Sequence, residues 1–506
     1  MSESPAIELR GISKSFGAVQ ANRDIDLTVT KGTIHGIVGE NGAGKSTLMS
    51  ILYGYYTADA GEIRVGGQPV RIATPADAIR AGIGMVHQHF MLVDDQSVIE
   101  NVMLGSVDGL LTAASLRRTR AALDELGQTY GLKVDPDAIV ETLPVGLQQR
   151  VAILRAMVRR ADVLILDEPT GVLTPTEADD LFRVLGRLRD EGRTVILITH
   201  KLREIMAITD MVSVLRRGEM IATRRTADTS PAELAELMVG RRVQAPQRTA
   251  RADTARGPVR LSVRDLALTL RGGARPVKDL TFDLRAGEIL GIAGVAGNGQ
   301  SELLELLAGT RRPTSGDIRM RDRPITALSA GERRKLGLAH IPEDRHHTGL
   351  VLPFALYENA VLGTHRDPSL GRGPFLSPRA MRDRAAGHVA TYDIRPPDPA
   401  LRSAGFSGGN QQKIVVAREI ERGPDVILIG QPTRGVDIGA IEFIHRRMLE
   451  QRDAGKAILL VSVELDEVRA LSDRILVMFD GRLSDPVPPE TDERTLGLMM
   501  AGMTAP

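Results

Sequence analysis

The stretch GENGAGKST, residues 39–47, decides the fold of the first half of the chain. It follows the short apolar run IHGIV (34–38) and stands where a helical pattern begins. It fits the pattern GxxxxGK[ST], in which glycines let backbone N–H groups surround phosphate oxygens, and the helix that follows adds its positive dipole end. A glycine-rich turn can match this pattern by chance, but the acids found downstream count against that explanation. The stretch therefore predicts a phosphate-binding loop between a buried strand and a helix.

Each residue type in this loop has a chemical reason. The glycines allow the tight loop, the ammonium of Lys45 is expected to reach the β- and γ-phosphates, and the hydroxyl of Ser46 is expected to bind Mg²⁺. The residues predicted to bind nucleotide here are Gly39, Glu40, Asn41, Gly42, Ala43, Gly44, Lys45, Ser46 and Thr47.

Two acids end an apolar strand pattern further along, in VLILDEPT (163–170). Asp167 is expected to hold Mg²⁺ through its water shell, and Glu168 to polarise the attacking water as a general base. His200 follows the apolar run VILIT (195–199), where it could donate a hydrogen bond to the γ-phosphate. A single histidine at a strand end also fits a purely structural role.

The chain contains an internal repeat. GIVGENGAGKSTLMSIL (36–52) aligns with GIAGVAGNGQSELLELL (291–307) at an offset of 255 residues. VGLQQRVAILRA (145–156) aligns with GGNQQKIVVARE (408–419) at an offset of 263. Two constant offsets indicate two homologous halves with a net insertion of eight residues in the second, which we expect in the stretch 365–378, rich in Gly and Pro.

Short apolar runs alternate with helical patterns in each half, which favours a mostly parallel sheet covered by helices. The predicted domains are residues 1–243 and 258–506, joined by a linker at 244–257. The sequence around this linker is polar and rich in Arg, which could suggest lipid head groups or RNA, but a solvated flexible linker is the interpretation we adopt.

Composition narrows the class of protein. The 506 residues are 42% hydrophobic and 25% charged with a net charge of +1, values typical of globular protein with no general affinity for nucleic acid. Cysteine is absent, which excludes disulfides and thiolate chemistry. No secretory signal and no uninterrupted apolar stretch of 18 residues is evident. These features predict a cytoplasmic protein that can still bind a membrane through partner proteins.

The segment FSGGNQQKIVVARE (406–419) precedes VILIGQPT (426–433), just as LPVGLQQRVAILRA (143–156) precedes VLILDEPT. Here the sequence resembles the ATP-binding-cassette (ABC) ATPases, whose signature segment precedes the acidic strand, and the resemblance covers nearly the whole chain twice. It implies two tandem P-loop NTPase domains of α/β class, each with a RecA-like core, a small β subdomain and a helical signature subdomain. ATP and Mg²⁺ are the implied cofactors.

The family's residue roles transfer to matching positions. The resemblance implies that Phe16 stacks on adenine and that Gln88 contacts Mg²⁺ and water and faces a membrane partner. It makes His200 the switch histidine and Asp437 the acid of the D-loop, the segment after the acidic strand. The implied signature residues are Ser407, Gly408, Gly409 and Asn410. The implied catalytic residues are Lys45, Gln88, Glu168 and His200, and the implied Mg²⁺ ligands are Ser46, Gln88 and Asp167.

The second half departs from this pattern at its phosphate site. The counterparts of Lys45, Gln88, Asp167, Glu168, His200 and Phe16 are Gln300, Glu343, Gly430, Gln431, Val463 and Arg271. The first half has Pro144 and Thr174 where the second has Ser407 and Asp437. Because cassettes of this family dimerise head to tail, with each ATP between the P-loop of one and the signature of the other, all of these losses fall on one composite site.

The sequence thus predicts one working composite site and one degenerate site. The degenerate site comprises Gly294, Gly297, Gly299, Gln300, Ser301, Gly430 and Gln431. Its glycines remain and Gln300 can still donate a hydrogen bond, so we expect nucleotide binding without useful turnover. A second half that serves as a scaffold and binds no nucleotide is the alternative.

The two-cassette layout with one defective half is similar to the ATPase subunit of simple-sugar and nucleoside importers. Within that group, the nucleoside branch is most similar to this chain in two stretches, GMVHQHFMLV (84–93) and IPEDRHHTGLV (341–351). The resemblance implies two permease subunits, an extracytoplasmic binding protein and a place on the cytoplasmic face of the inner membrane. No nucleic acid and no pocket for the transported molecule are expected.

The alternative is a two-cassette translation factor acting on the ribosome, which usually has a longer charged linker and two intact sites. A DNA-repair ATPase would require a long coiled-coil or metal-finger insertion that this chain lacks.

Overall fold

The structure is a computed structural model that describes residues 5–17, 19–87, 91–104, 113–159, 161–170, 173, 175–242, 257–372 and 375–503. Contacts between residues divide the chain into two units, Met1–Val243 and Gln244–Pro506. The predicted linker at 244–257 lies, except for Gly257, outside the described residues.

The described residues of the first unit form two sheets. A mixed six-stranded sheet has the order β10-β9-β3-β8-β7-β6, in which β9, β3, β8, β7 and β6 run parallel and β10 pairs antiparallel with β9. A four-stranded antiparallel sheet has the order β2-β1-β4-β5. The strands are β1 (Pro5–Phe16), β2 (Val19–Thr30), β3 (Ile34–Val38), β4 (Ala60–Val65), β5 (Gln68–Pro69), β6 (Ile83–Val86), β7 (Val163–Asp167), β8 (Thr194–Ile198), β9 (Met211–Arg216) and β10 (Glu219–Arg225).

Every residue of β3, β7 and β8 is buried, as expected for strands of a parallel sheet covered on both faces. The apolar core of this unit joins β3 and β8 to helix α1 and to the inner face of the antiparallel sheet. The described helices are α1 (Lys45–Leu52), α2 (Pro75–Arg80), α3 (Val98–Met103), α4 (Ala113–Tyr130), α5 (Val145–Val158), α6 (Pro175–Asp190), α7 (Leu202–Ile208) and α8 (Pro231–Val239).

The second unit repeats this architecture. Its six-stranded sheet has the order β16-β19-β20-β13-β21-β22, parallel except for β22, and its antiparallel sheet has the order β12-β11-β14-β15. The strands are β11 (Val259–Leu268), β12 (Val277–Arg285), β13 (Glu288–Ala293), β14 (Ser315–Met320), β15 (Arg323–Pro324), β16 (Leu338–Ile341), β17 (Gly371–Arg372), β18 (Phe375–Leu376), β19 (Val426–Gly430), β20 (Ala457–Ser462), β21 (Arg474–Phe479) and β22 (Arg482–Leu483).

The Gly/Pro-rich stretch 365–378 contains a small antiparallel hairpin, formed by β17 and β18. A Cβ atom at Gly371 would lie 2.0 Å from the carbonyl oxygen of Phe375, so the two backbones approach more closely than a side chain allows. The helices of this unit are α9 (Gln300–Ala308), α10 (Ala330–Lys335), α11 (Leu356–Asn359), α12 (Pro378–Tyr392), α13 (Gly408–Ile420), α14 (Ile438–Asp453), α15 (Leu465–Leu471) and α16 (Glu493–Met500).

The predicted fold class is confirmed: each unit is an α/β domain with a mostly parallel sheet, a small antiparallel β subdomain and a helical group around α5 or α13. The first residue of α1 and of α9 directly follows a phosphate-loop glycine, so the sheet and this helix together position each loop. Among the described residues, none of the helices combines the length and apolar composition that crossing a bilayer requires.

Candidate functional site

The phosphate loop of the first unit joins β3 to α1 as the sequence predicted. Gly42 and Gly44 have φ angles of 80° and 102°, in the left-handed region that favours glycine. A Cβ atom at Gly44 would lie 2.3 Å from the carbonyl oxygen of Ala21, so only glycine fits against β2. The buried Asn22 side chain donates to the carbonyl oxygen of Gly44 at 3.1 Å and fixes the loop from the β subdomain.

Lys45 lies across its own loop. Its ammonium nitrogen donates to the carbonyl oxygens of Gly39 at 2.7 Å and Glu40 at 3.0 Å, and only 5% of the residue is exposed. Burial lowers the pKa of Lys45, and the charges of Glu168, Asp167 and Glu40 act in the opposite direction. The loop thus holds a cation that an anionic phosphate can approach.

Ser46 and Asp167 lie together although 121 positions separate them in the sequence, because α1 starts beside the end of β7. The side chain of Ser46 lies close enough to Asp167 to lower the pKa of its carboxyl group, and Asp167 is 7% exposed. Burial and the neighbouring charge of Glu168 raise the pKa of Asp167 to about 6, although Ser46 and Lys45 oppose this. A hydroxyl and a carboxylate side by side are oxygen ligands of the type that Mg²⁺ prefers, so these residues fit the metal that the sequence implied.

Glu168 is held by one backbone contact and one side-chain contact. Its φ of 48° is left-handed, and its N–H donates to the carbonyl oxygen of Ile198 at 2.8 Å. One carboxylate oxygen lies 2.9 Å from Nδ1 of His200. Burial acts to raise the pKa of Glu168, but the hydrogen bond and charge of His200, with the charges of Lys45 and Lys201, lower it overall. The carboxylate is therefore ionised and held in one orientation.

Phe16 lies at the end of β1, where it pairs with Val19 at the start of β2. This is the end of the β1–β2 pair from which Ala21 and Asn22 contact the loop glycine Gly44. The residue is 43% exposed, and its ring meets that of Tyr56 edge-to-face at a centroid distance of 5.0 Å. An exposed ring near the phosphate loop can offer its face to a base.

Two residues named from the sequence lie outside the described residues, Gln88 and Thr174. Glu40, Asn41, Gly42 and Ala43 form the turn that precedes α1, and Thr47 is the third residue of that helix. The structure therefore brings Gly39–Thr47, Asp167, Glu168 and His200 together in the first unit.

The second phosphate loop keeps the backbone of the first. Gly297 and Gly299 have φ angles of 90° and 104°, and Gly299 precedes the first residue of α9. Gln300 is 4% exposed, and its amide nitrogen donates to the carbonyl oxygen of Val295 at 2.9 Å. Val295 is the counterpart of Glu40, so the neutral amide makes the same loop-spanning contact as Lys45 without its charge.

The strand end of the second unit keeps its geometry and loses its acids. Gln431 has a φ of 45°, and its N–H donates to the carbonyl oxygen of Val461 at 2.8 Å, as Glu168 does in the first unit. Its side-chain oxygen accepts from the N–H of Val463 at 3.2 Å. Ser301 donates to Glu343, the counterpart of Gln88, and burial raises the pKa of Glu343 although this hydrogen bond opposes it.

The signature of the second unit begins helix α13. Asn410 donates to Ser407 Oγ at 2.8 Å, and its side-chain oxygen accepts from the N–H of Arg395 at 2.8 Å. A Cβ atom at Gly409 would lie 2.4 Å from one carboxylate oxygen of Asp437, and the other carboxylate oxygen accepts from the N–H of Ala440 at the start of α14. Close packing therefore requires glycine at 409, and Asp437 links the signature to α14.

The first unit reaches a similar arrangement with different residues. Pro144 precedes α5, and a Cβ atom at Gly146 would lie 2.7 Å from a carboxylate oxygen of Glu177 in α6. Glu177 aligns with Ala440, so a carboxylate again lies against the second signature glycine but comes from another position. We did not predict this contact, nor that of Asn22, because each joins distant residues outside any motif.

A family model described as "ABC transporter" matches residues 22–171 and 277–434. The guanosine import ATP-binding protein NupO of Bacillus subtilis is 46% identical, with 98% of each chain covered. The glucose import ATP-binding protein TsgD13 of Haloferax volcanii is 44% identical, covering 99% of this chain and 96% of that one. An archaeal ribosome recycling factor, aABCE1, superposes with a TM-score of 0.65 at 20% identity, covering 94% of this chain and 90% of that one, which shows a shared fold.

Proposed function

The chain belongs to the ABC transporter family, with two cassettes in tandem, and on that basis we propose that it is the ATP-hydrolysing subunit of an importer with one active site and one degenerate site. One observation carries this proposal. The first unit brings Lys45, the Ser46–Asp167 pair and the Glu168–His200 pair around one phosphate loop. These are the charges and bases that phosphoryl transfer to water requires.

Each residue of the first site has a separate task. The loop N–H groups and Lys45 bind the β- and γ-phosphates, and Ser46 and Asp167 would hold Mg²⁺, which neutralises charge on the phosphates when bound. Glu168 accepts the proton of the attacking water, and His200 orients the carboxylate through the 2.9 Å contact at Nδ1. The sequence resemblance adds Gln88 as a further ligand and Phe16 as the adenine platform.

The degenerate second site follows from the same comparison of residues. Gln300 replaces an ammonium, Gly430 and Gln431 replace two carboxylates, and Val463 replaces the histidine. No group among these four can act as a general base, so ATP bound there is not turned over. We propose that the signature of the second unit, Ser407–Asn410, completes the first site in the head-to-tail manner of the family.

The transported molecule must pass through other subunits, so the chain requires membrane partners. We propose two permease subunits and an extracytoplasmic binding protein, with this chain on the cytoplasmic face of the membrane. One groove is lined by residues that include Tyr53, Tyr55, His87 and Arg155, and His87 directly precedes Gln88 in the sequence. Aromatic and cationic side chains of this kind are frequent at protein interfaces, so we assign this groove to a permease contact.

Nucleosides are the proposed substrate class. The sequences 84–93 and 341–351 are most similar to the nucleoside branch, and NupO is named for guanosine import. TsgD13 is named for glucose import at nearly equal identity, so simple sugars remain the second candidate. The ribosome-acting alternative has no such support, because its likeness to this chain extends to the fold alone.

The test compares the same substitution at equivalent positions of the two loops. Lys45→Ala should abolish ATP hydrolysis and uptake in the complex with its permeases, because the charge between the β- and γ-phosphates is lost. Gln300→Ala should leave most of both activities, since no chemistry depends on that loop.

Deleting the gene should reduce uptake of a labelled nucleoside more than uptake of ribose. Equal damage from the two substitutions would show that the loops share the catalytic work, and selective loss of sugar uptake would assign sugars as the substrate.

A further inference from the structure

The first unit contains a cavity of about 310 Å³ between helices α4, α5 and α6. This volume lies at the lower end of the range for small-molecule sites. The lining is partly apolar and partly charged, and its charged members are Arg150, Glu177, Asp180, Arg183 and Arg187. The described lining comes from these three helices and the segments next to them, so the cavity is distinct from the phosphate loop between β3 and α1.

The second unit has an aromatic ring in the corresponding position. Phe443 in α14 aligns with Asp180 in α6 at the repeat offset of 263 residues. Its ring packs against that of the fully buried Tyr392 at a centroid distance of 5.6 Å, and the guanidinium of Arg447 lies over both rings. Arg447 aligns with Val184, which also lines the cavity. The cavity therefore lies where the second unit has a phenyl ring and a guanidinium group.

The cations that flank this ring have counterparts in the first unit. In the second unit, Lys413 Nζ lies 4.9 Å from the ring centroid of Phe443, and the guanidinium of Arg446 lies 5.5 Å from it. The aligned residues Arg150 and Arg183 both line the cavity. A cation over an aromatic face is attracted by the π electrons of the ring. The first unit thus keeps both cations and lacks the ring, so the ring of a ligand can take its place.

The polar groups of the cavity favour a ligand that donates hydrogen bonds. Gln149 lines the cavity and is 1% exposed. Its Nε2 donates to the carbonyl oxygen of Pro169, whereas its Oε1 has no hydrogen-bond partner among the described residues. A buried acceptor without a donor is destabilising, so a ligand N–H that reaches this oxygen gains affinity. The carboxylates of Glu177 and Asp180 are further acceptors, and Asp180 also pairs with Arg183.

We propose that this cavity binds a nucleobase with N–H donors on its edge, such as guanine, carried by a nucleoside or a nucleotide. The base stacks against Arg150 and Arg183 in the place that Phe443 occupies in the second unit, and its N–H groups donate to Gln149 Oε1 and the carboxylates. Such a base meets both requirements, because it has a flat π face and N–H groups in the same plane. Binding at this cavity is independent of the proposed function, since no step of it involves ATP hydrolysis or transport.

The experiment titrates the full chain with guanosine by calorimetry, while a non-hydrolysable ATP analogue saturates the nucleotide sites. The wild type should bind about one guanosine per chain. Purine ribonucleoside, whose base has no N–H donor, should bind about tenfold more weakly, because Gln149 Oε1 then stays unpaired. Guanosine monophosphate is titrated in parallel, and the tighter binder of the two identifies whether a nucleoside or a nucleotide carries the base.

Asp180→Phe fills the cavity with the residue that the second unit has at this position, so the variant is expected to fold. It should abolish guanosine binding. Asp179→Phe is the matched control, because it makes the same exchange at the next position of α6, which is exposed and lies outside the described lining of the cavity. This control should bind guanosine as the wild type does. ATP hydrolysis by both variants in the complex with the permeases, measured in parallel, shows that they are folded.

Arg150→Gln tests the stacking contact without filling the cavity. It removes one of the two flanking cations and should weaken guanosine binding about fivefold. The proposal is overturned if the wild type binds no guanosine, or if Asp180→Phe and Arg150→Gln both bind it with wild-type affinity. Equal affinity of the wild type for guanosine and purine ribonucleoside would also overturn it, because the N–H donors would then play no part.

Discussion

Glu168→Gln isolates the chemistry of the first site, because the chain itself shows that glutamine fits this position. Gln431 has a φ of 45° against 48° for Glu168, and each N–H donates to a neighbouring strand at 2.8 Å. The substitution therefore removes the base without a change in backbone or side-chain size. The contact with His200 can persist through the amide.

The expected effect is a fall in ATP turnover of about 10²- to 10⁴-fold, the range for losing a positioned general base. This corresponds to about 3 to 5 kcal/mol in activation free energy. Since the pKa of Glu168 is lowered overall, the carboxylate is ionised at neutral pH and the wild type already has its base available. ATP affinity should change little, because Lys45 and the loop N–H groups remain.

The assay is steady-state phosphate release by the complex with its permeases, with nucleotide binding measured separately on the same preparations. Gln431→Glu is the matched control and should create no second activity, because Gln300 and Val463 still replace the lysine and the histidine. If Glu168→Gln turns over ATP at the wild-type rate, the assignment of the base is wrong. If Gln431→Glu raises turnover markedly, the second site is not degenerate in the way we propose.

Two further predictions concern the signatures and a buried histidine. Ser407→Arg should abolish ATP hydrolysis, whereas Pro144→Arg should retain a substantial part of the wild-type rate. The reason is that only the signature of the second unit completes the active site in the proposed arrangement. The reverse ranking in phosphate release would contradict this arrangement. His35 is buried, with its Nε2 atom 2.8 Å from Ser213 Oγ. Burial lowers the pKa of His35 from 6.5 to about 4. The folded state therefore binds fewer protons than the unfolded state, and the free energy of unfolding falls as the pH drops below 6.5. The free energy of unfolding should be measured with urea at pH 7 and at pH 5.5. Between these two pH values it should fall by about 1 kcal/mol more for the wild type than for His35→Leu. Leucine is the native residue at the aligned position 290, so it is a suitable replacement for His35. If the free energy of unfolding of the two proteins depends on pH in the same way, burial of His35 is not the cause of the pH dependence.

Much of the site could be predicted from sequence because its parts are local. The loop glycines, Lys45 and the acidic strand end each lie in a short motif whose spacing is fixed by a strand and the turn or helix next to it. The repeat offsets then located every substitution in the second half without any coordinates. The role of Gln88 stays a prediction, since it lies outside the described residues.

The contacts that sequence could not supply join segments far apart in the chain. The closure of Ala21 and Asn22 on Gly44 depends on how the antiparallel sheet packs against the loop. The carboxylate of Glu177 lies against Gly146, although Glu177 aligns with an alanine, because α6 carries it there.

The sequence by itself determined the duplicated α/β fold, the position of a glycine loop between a strand and a helix in each half, and the loss of Lys, Asp, Glu and His from the second half. Residue identity and spacing are sufficient for these conclusions, because a charge that is absent from the chain is absent from the site. Only the tertiary structure decided what replaced them. The side chain of Glu343 occupies the volume left by Gly430 and reaches Ser301 because two neighbouring parallel strands end side by side, and such proximity depends on packing and not on distance along the chain.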